Sequence, residues 1–248
     1  MTRLTLGLPS KGRLQADTIA WFAEAGIEIV RDGTDREYSA KASGFDGLDV
    51  VMLSAGEIPR ELSAGRIHLG VTGEDLIRER ISNDESTVRV VAKGGFGHAD
   101  LVVAVPSHWI DVETMHDLDE VAGQFRERHG HALRIATKYH NLVRAFFRQH
   151  GVADYRLVDS QGATEAAPKN LTAEAIADIT TTGDTLRANH LRLLEDGLIL
   201  QSQAVLAMSL TAEWSERNHA LMASLESRLA QRRDGTATVQ ASPSTIRS

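Results

Sequence analysis

Residues 178–186 read Asp-Ile-Thr-Thr-Thr-Gly-Asp-Thr-Leu, and residue types in this order suit the binding of a phosphate. The apolar run before this segment predicts a strand, which leads through a turn into a helix. Gly183 would let the backbone approach an anion, while backbone N–H groups, threonine hydroxyls and the helix start offer positive partial charge. The sequence therefore predicts a phosphate-binding loop made of Thr180, Thr181, Thr182, Gly183, Asp184 and Thr185. We expect Asp178, just upstream, to hold sugar hydroxyls.

The same residues also fit an ordinary polar turn, in which Asp184 or Thr182 caps the N-terminus of the helix. Short motifs of this kind arise by chance in many proteins, so the segment alone leaves both interpretations open. Other parts of the chain have to decide between them.

Composition excludes several other kinds of chemistry. The 248 residues carry a net charge of −7 with dispersed basic residues, which argues against a nucleic-acid surface. The chain has no cysteine, so disulfides, thiolate zinc sites and cysteine nucleophiles are excluded. The 10 histidines show no spacing typical of a metal site, and we predict no metal held by the protein alone.

The location of the protein is predicted from its apolar segments. The first residues lead directly into a predicted strand rather than a signal sequence, and no apolar run approaches the roughly 20 residues of a membrane span. The hydrophobic fraction of 42% is typical of a folded protein with a sizeable core. We therefore expect a cytoplasmic protein.

The elements that must position the loop alternate between strands and helices. Apolar runs predict strands at residues 4–8, 48–53 and 67–72, and helical spacing of apolar residues predicts a helix from Leu14 to Ala25. This alternation is typical of α/β proteins with parallel or mixed sheets. A chain of this length has room for two lobes.

The glycine cluster at residues 94–97 lies near the predicted boundary between the lobes. The predicted division is a first lobe at 1–90, completed by a returning strand at 195–210, and a second lobe at 91–194 that holds the phosphate loop. A C-terminal helix is predicted at 211–232 with Thr211 as its N-cap, followed by a disordered tail at 233–248.

Four turns that follow predicted strands should lie at corresponding positions. They span residues 9–13, 72–75, 137–139 and 180–185. Because ligands in open α/β sheets bind outside the carboxyl ends of strands, we expect all four to face one cleft. Lys11, Arg13 and Lys138 would make that cleft positive, and Thr72 and Gly73 would line it. A polyphosphate substrate requires such a site.

Five blocks, in this order, resemble those of the ATP phosphoribosyltransferases of histidine biosynthesis. They are Leu-Pro-Ser-Lys-Gly-Arg-Leu at 8–14, Leu-Gly-Val-Thr-Gly-Glu-Asp at 69–75, Arg-Ile-Ala-Thr-Lys-Tyr at 134–139, Gly-Ala-Thr-Glu-Ala-Ala-Pro at 162–168, and the loop at 178–186. The resemblance covers nearly the whole chain. It implies an α/β fold with two lobes of the periplasmic-binding-protein type. It also implies transfer of phosphoribosyl from phosphoribosyl pyrophosphate to N1 of the adenine of ATP, with release of pyrophosphate.

The resemblance implies roles for the ribose-binding and phosphate-binding residues. The loop would anchor the 5-phosphate, while Glu165 and Asp178 would hold the ribose hydroxyls, directly or through magnesium. Mg²⁺ would arrive on the pyrophosphate oxygens and neutralise the leaving group.

Three cationic residues would act on ATP and on the leaving group. Lys11, Arg13 and Arg36 would orient phosphates and offset charge during transfer. Arg36 lies between Asp35 and Glu37, so it also fits an ordinary solvated residue.

Four positions depart from the pattern of the wider family. Ala99 and Asp100 stand where Cys-Arg is common, His68 stands where an acid is common, and Leu171 stands where glycine is expected. We expect local contacts at these positions to differ from those of other members.

The segment after residue 208 has room for one helix and a tail, where the family's long form carries a regulatory domain. This resembles the short form. The resemblance therefore implies a homodimer and a hetero-oligomer with a separate histidyl-tRNA-synthetase-like regulatory subunit. The apolar stripe of the C-terminal helix could serve either assembly or cover its own lobe.

Two other functions stay open. Type I phosphoribosyltransferases, which use other bases, have a similar threonine loop, but two adjacent acids precede it, whereas Ala177 precedes Asp178 here. A non-enzymatic two-lobed protein of the periplasmic type would also close over an anion, although it would need a signal peptide.

Overall fold

The computed structural model describes residues 3–31, 39–81, 86–160 and 162–237. The chain forms two compact units. The first draws its described residues from Met1–Leu76, Asp84–Gly97 and Ala204–Ser248, and the second from Ile77–Asn83 and His98–Gln203.

The elements alternate between strands and helices along much of the chain, which confirms the predicted α/β class. In chain order they are β1 (Leu4–Pro9), α1 (Gly12–Glu24), β2 (Glu28–Arg31), β3 (Ser39–Ser43), β4 (Leu48–Leu53), α2 (Ile58–Ser63), β5 (Leu69–Gly73), α3 (Glu74–Arg80), β6 (Val88–Lys93), β7 (Ala99–Pro106), α4 (Met115–His129), β8 (Leu133–Thr137), α5 (His140–Gln149), β9 (Tyr155–Asp159), a 3₁₀ turn (Thr164–Ala166), β10 (Ala175–Thr180), α6 (Asp184–Ala188), β11 (Leu191–Ser202), β12 (Ala204–Ser209) and α7 (Glu216–Ala237). None of the helices in the described ranges combines the length and the apolarity that a bilayer crossing needs.

The first unit is built on a seven-stranded mixed sheet in the order β2-β3-β4-β1-β5-β12-β6. β1 pairs in parallel with both β4 and β5, while β12 pairs antiparallel with β5 and β6. Leu4, Leu6 and Leu8 of β1 are almost completely buried, and Phe22 of α1 belongs to the same core. The alternating apolar residues of β1 therefore form a central strand, and α1 packs in the core of the same unit.

The second unit has a five-stranded mixed sheet in the order β11-β7-β10-β8-β9. β10 runs parallel to β8 and antiparallel to β7. Its residues Ala175, Ile176 and Ala177 are completely buried, which fits a strand flanked on both sides by neighbours. The phosphate loop follows directly from this well-held strand.

The boundaries of the units differ from those predicted. β6 pairs with β12 in the sheet of the first unit, so that unit extends to Gly97, past the predicted boundary at residue 90. The predicted returning strand at 195–210 is divided between the end of β11 in the second unit and β12 in the first. Strand pairing decides both boundaries, and it cannot be read from local composition.

The prediction that Thr211 is the N-cap of the C-terminal helix is wrong, because α7 begins at Glu216. The Thr211 hydroxyl instead donates to the Ser63 carbonyl at 2.9 Å, and Ser215 Oγ accepts from the Asn218 backbone N–H at 3.2 Å. The helix continues to Ala237, beyond its predicted end at residue 232. The rest of the predicted tail, residues 238–248, lies outside the described residues.

His68, where the resemblance leads us to expect an acid, is 7% exposed in the first unit. Its Nδ1 accepts from the Thr5 backbone N–H at 3.1 Å, and its Nε2 lies 3.2 Å from the Glu213 carbonyl. The imidazole therefore ties the segment before α7 to β1.

Leu171, where the resemblance leads us to expect glycine, has a φ of 57° and is 78% exposed. A left-handed conformation costs a non-glycine residue roughly 1–2 kcal/mol, because its Cβ crowds the following carbonyl oxygen. Glycine adopts this conformation without that cost, so the leucine is strained there.

Leu171→Gly is expected to stabilise the protein. The strain that it removes exceeds the backbone entropy that glycine loses on folding, so we expect a net gain of about 0.5–1 kcal/mol. The midpoint of urea unfolding measures it. The control is Leu193→Gly, at an exposed leucine of β11, where glycine should destabilise. A Leu171→Gly midpoint below that of the parent would contradict the assignment of strain.

Candidate phosphate-binding site

The predicted loop forms a tight turn at the end of β10. Gly183 has a φ of 74° and a ψ of 0°, in the left-handed region that favours glycine. Its N–H donates to Thr180 Oγ1 at 2.9 Å, which closes the turn, and α6 starts at the next residue. The strand, turn and helix predicted from the sequence are therefore all present in the order expected.

The alternative in which Thr182 or Asp184 is the N-cap of the helix is not what the structure shows. Gly183 occupies the N-cap position, and no side chain caps α6. The Thr182 hydroxyl donates to Asp184 at 2.5 Å, and Arg187 pairs with the same carboxylate. The Thr182 hydrogen bond, with Arg187 in addition, lowers the pKa of Asp184. The exposed Asp184 carboxylate thus helps to order the loop through its contacts with Thr182 and Arg187.

A pocket of about 230 Å³ lies against this loop, entirely within the second unit. It brings together most of the residues predicted to bind phosphoribosyl pyrophosphate. The lining residues are Ala99, Glu165, Asp178, Ile179, Thr180, Thr181, Thr182, Thr185 and Leu186. Two carboxylates therefore share one pocket with four threonines, an arrangement suited to a sugar phosphate.

The four threonines differ in what their hydroxyls already do. Thr180 holds the turn, Thr182 bonds to Asp184, and Thr181 makes a long contact of 3.4 Å with the His98 carbonyl. Thr185 is exposed, and its hydroxyl has no hydrogen-bond partner within the ranges that the structure describes. Thr185 is accordingly the hydroxyl most available to a ligand.

Asp178 is partly buried beside the loop. Burial raises the pKa of its carboxyl, an effect opposed by hydrogen bonds from the Ile179 backbone N–H and the Thr164 hydroxyl. The positive charge of Lys138 also lowers the pKa, whereas the negative charge of Glu165 raises it. The carboxylate is therefore held in a partly desolvated place where its interactions with a ligand are strong.

Thr164 was not predicted as a site residue. It is 1% exposed, and its Oγ1 lies 2.8 Å from Ser160 Oγ. Its buried hydroxyl also hydrogen-bonds to Asp178 and therefore orients that carboxylate. It stands directly before Glu165 in the Gly-Ala-Thr-Glu block, and this position next to a predicted site residue was the only sign in the sequence that Thr164 could belong to the site. Its contact with Asp178 is long-range in sequence and could not be inferred.

Lys138 follows β8, whose residue Thr137 lies opposite Ala177 in the parallel pair with β10. The lysine therefore stands at the same sheet edge as Asp178. It is exposed, and its Nζ donates to the Gly162 carbonyl at 2.8 Å. A cation therefore lies near enough to Asp178 for its charge to act on that carboxyl, within this unit.

The remaining predicted residues belong to the first unit. Lys11 and Arg13 are exposed at the start of α1, and Gly73 ends β5, the parallel neighbour of β1. Their backbones thus meet one edge of the first sheet. Thr72 is fully buried, and its hydroxyl donates to the Ala55 carbonyl at 2.8 Å, so the side chain is already engaged. Arg36 lies outside the described residues.

Metal binding by the protein alone would need three or more clustered ligands. Within the described ranges, no such group of histidine, aspartate and glutamate side chains occurs. The two carboxylates of the phosphate pocket, Glu165 and Asp178, could still meet a divalent ion that arrives with a substrate.

Comparison with protein families gives one match that covers most of the chain. The family model described as "HisG: ATP phosphoribosyltransferase" matches residues 54–231. An ATP phosphoribosyltransferase of Cereibacter sphaeroides is 60% identical over 213 residues, which cover 86% of this chain and 90% of that protein. An ATP phosphoribosyltransferase of Brucella suis is 54% identical over 215 residues, which cover 86% of this chain and 93% of that protein. One from Bradyrhizobium diazoefficiens is 55% identical, but the chain covers 65% of its length.

Solved structures show the same fold. The "ATP phosphoribosyl transferase (HisG:HisZ) complex from Thermotoga maritima" matches with a TM-score of 0.71 and 21% identity, covering 94% of this chain and 98% of that chain. The VFT2 domain of BvgS from Bordetella pertussis matches with a TM-score of 0.52 and 14% identity, covering 95% and 91%. These matches confirm the predicted fold class of two lobes of the periplasmic-binding-protein type.

Asp178→Asn is expected to stabilise the protein near neutral pH. Because the folded-state pKa is raised, the unfolded chain loses this proton first as the pH increases. The free energy of unfolding therefore falls as the pH rises from the unfolded pKa, about 3.9, through the folded pKa. The side-chain amide of D178N does not ionise, so its burial carries no such pH-dependent cost.

The measurement is the difference in free energy of unfolding between D178N and the parent, taken at pH 7.5 and at lower pH. We expect D178N to be more stable at pH 7.5 and the difference to shrink as the pH falls through the folded pKa. Asp111→Asn, at an exposed aspartate, is the control. A parent at least as stable as D178N at pH 7.5 would refute the burial argument.

Proposed function

We propose that this chain, which belongs to the ATP phosphoribosyltransferase family, binds the 5-phosphate of phosphoribosyl pyrophosphate with the loop at residues 180–185. Family membership gives the reaction: phosphoribosyl is transferred to N1 of the adenine of ATP, and pyrophosphate leaves, as the first step of histidine biosynthesis. The observation that carries the assignment of the loop is its shared pocket with Glu165 and Asp178.

The anion would be held by hydrogen-bond donors that the fold leaves available. The first N–H groups of a helix have no partner inside it, so those of Thr185 and Leu186 can face a phosphate, whereas the Asp184 N–H donates to Thr182 Oγ1 at 3.4 Å. The Thr185 hydroxyl adds one more donor, and Gly183, which has no Cβ, adopts the left-handed conformation of the turn without strain. Together these donors suit a tetrahedral phosphate.

The ribose would be held by the two carboxylates of the pocket. Glu165 and Asp178 can each accept hydrogen bonds from neighbouring hydroxyls, and Thr164 keeps Asp178 in place. Two fixed acceptors orient the sugar ring, so its anomeric carbon is presented to the incoming adenine.

Positive charge for the polyphosphates would come from Lys138 and from Lys11 and Arg13 of the first unit. Transfer places negative charge on the departing pyrophosphate, and cationic side chains stabilise that charge more than they stabilise the ground state. Mg²⁺ bound to the pyrophosphate oxygens would supply further neutralisation. Adenine N1 has its own lone pair, so no protein base is needed at the nucleophile.

Three further residues keep roles that we propose from the sequence. Thr72 and Gly73 would contribute through backbone groups at the end of β5, since the Thr72 hydroxyl is occupied by Ala55. Arg36 would orient ATP phosphates.

We also propose assembly with a regulatory subunit. One solved structure with the same fold is a HisG:HisZ complex. A corresponding partner, resembling a histidyl-tRNA synthetase, would form a hetero-oligomer with a homodimer of this chain. Because ATP and phosphoribosyl pyrophosphate are made in the cytoplasm, we place the enzyme there.

The reaction is tested with purified chain, ATP and phosphoribosyl pyrophosphate, by following phosphoribosyl-ATP and pyrophosphate. We expect product with both substrates, and inhibition by histidine only after the regulatory subunit is added. Turnover with another base in place of ATP would favour a different phosphoribosyltransferase. Binding of phosphate without turnover, in the presence or absence of the partner, would favour a non-enzymatic anion-binding protein.

Thr185→Val tests the loop directly, because it removes one hydroxyl while keeping the shape of the side chain. Loss of one hydrogen bond to a charged phosphate is worth roughly 1.5 kcal/mol, so KM for phosphoribosyl pyrophosphate should rise about tenfold. We expect KM for ATP and kcat to stay within about twofold of the parent, because the lost hydrogen bond stabilises the bound substrate and the transition state equally.

The matched control is Thr172→Val, in the same unit but outside the pocket, where the hydroxyl donates to the Ala167 carbonyl. It should leave KM for phosphoribosyl pyrophosphate unchanged. Steady-state kinetics with one substrate varied at a time gives these constants. Equal KM values for T185V and the parent would remove Thr185 from the site.

A further inference from the structure

A second pocket of about 400 Å³ lies in the second unit, beside the far end of α6. We call it the α6 pocket. Its walls are mainly apolar and include Trp109, Pro168, Leu171 and Leu191. Its volume falls in the range of sites that bind small organic molecules, and Trp109 gives its wall an aromatic side chain that could contact a flat ring.

The polar side chains that line the α6 pocket include one cation and two imidazoles. Lys169, His108 and His190 line it, and all three are exposed to solvent. Within the described residues, the Lys169 ammonium has no hydrogen-bond or ion-pair partner. A carboxylate also lines the pocket, that of Glu174, but Arg134 Nη2 pairs with it and so neutralises it. The pocket thus presents uncompensated positive charge beside an apolar wall.

Backbone strain is concentrated at the same pocket. Leu171 and His190 both have a φ of 57°, and no other non-glycine residue in the described ranges has a positive φ. A positive φ strains a non-glycine residue because its Cβ crowds the following carbonyl oxygen. Strain of this kind persists where the surroundings hold it, and it clusters at ligand sites and switch regions.

Two chain segments connect the α6 pocket to the phosphate pocket. The first runs from Glu165, at the phosphate pocket, to Ala173, and the second runs from Thr185 to Leu191. The second segment contains α6, which is five residues and therefore about 7.5 Å long. Asn189, at the α6 pocket, donates from Nδ2 to the Thr185 carbonyl at 2.9 Å. A displacement of one end of α6 would therefore reach the other.

We propose that the α6 pocket binds a small aromatic carboxylate and that its occupancy changes the affinity of the phosphate loop for its anion. The ring lies against Trp109 and the apolar wall, and the carboxylate faces Lys169. The bound molecule contacts the C-terminal end of α6, whose N-terminal end forms the phosphate loop. Binding in the pocket is independent of the proposed function, whereas its effect on the loop rests on that function.

Binding is tested on the full chain by isothermal titration calorimetry with 2-naphthoate as the probe and with 2-naphthamide as its uncharged counterpart. We expect 2-naphthoate to bind at least fivefold more tightly than the amide. Lys169→Ala should weaken binding of the carboxylate about fivefold, and Arg156→Ala, which removes an exposed charge of the same unit outside the pocket, should not. Ala188→Trp, which fills the pocket from its exposed side, should abolish binding.

Absence of 2-naphthoate binding to the parent would overturn the proposal. Equal affinity for the acid and the amide, or K169A affinity equal to that of the parent, would overturn the assignment of the carboxylate to Lys169. The lysine is at the surface, so its variant should fold even if A188W does not.

Coupling is tested by measuring the Kd of phosphoribosyl pyrophosphate with and without saturating 2-naphthoate. We expect a change of at least fivefold in the parent and none in A188W. An unchanged Kd in the parent would overturn the coupling. If phosphoribosyl pyrophosphate does not bind at all, the proposed function and the coupling both fail, while the calorimetry still decides whether the pocket takes the acid.

Discussion

The left-handed turn at Gly183 is the constraint on which the candidate site depends. The hydrogen bond from the Gly183 N–H to Thr180 Oγ1 closes this turn. Only with this turn does the chain leave β10 and enter α6 at once, so that the carboxylates, the loop threonines and the start of the helix line one pocket. A residue with a Cβ would strain the turn, and without the threonine hydroxyl the Gly183 N–H would lose its partner.

The site also illustrates a conflict between stability and binding. Asp178 is held where burial disfavours its charged form, with a like charge on Glu165 beside it. The surrounding core of β10, between β7 and β8, holds the carboxylate there against that penalty. A partly desolvated, oriented acceptor interacts more strongly with a sugar hydroxyl than a solvated one would. Under the proposed function, this energetic cost in the free protein would accompany a stronger hydrogen bond from a ribose hydroxyl to Asp178.

α6 links two different environments within a few residues. Its N-terminal end faces a polar pocket, while its C-terminal end borders an apolar one, and buried Leu186 anchors it to the hydrophobic cluster that also contains Ala173 and Leu191. A short helix held at one central point can transmit a displacement from end to end. The two strained residues, Leu171 and His190, lie at the apolar end, where the backbone has the most to gain from rearrangement.

The sequence by itself determined the α/β class, the strand, turn and helix around Gly183, and the family, because these depend on local periodicity and on ordered short motifs. It also marked position 171 as unusual, and the positive φ of Leu171 supplies the reason. Only the tertiary structure showed that Thr72 is turned inward, that Thr164 orients Asp178, that Thr211 does not cap α7, and that β6 belongs with β12. Each of these depends on contacts between residues distant in the chain, where burial and strand pairing, rather than local residue type, decide what a side chain can do.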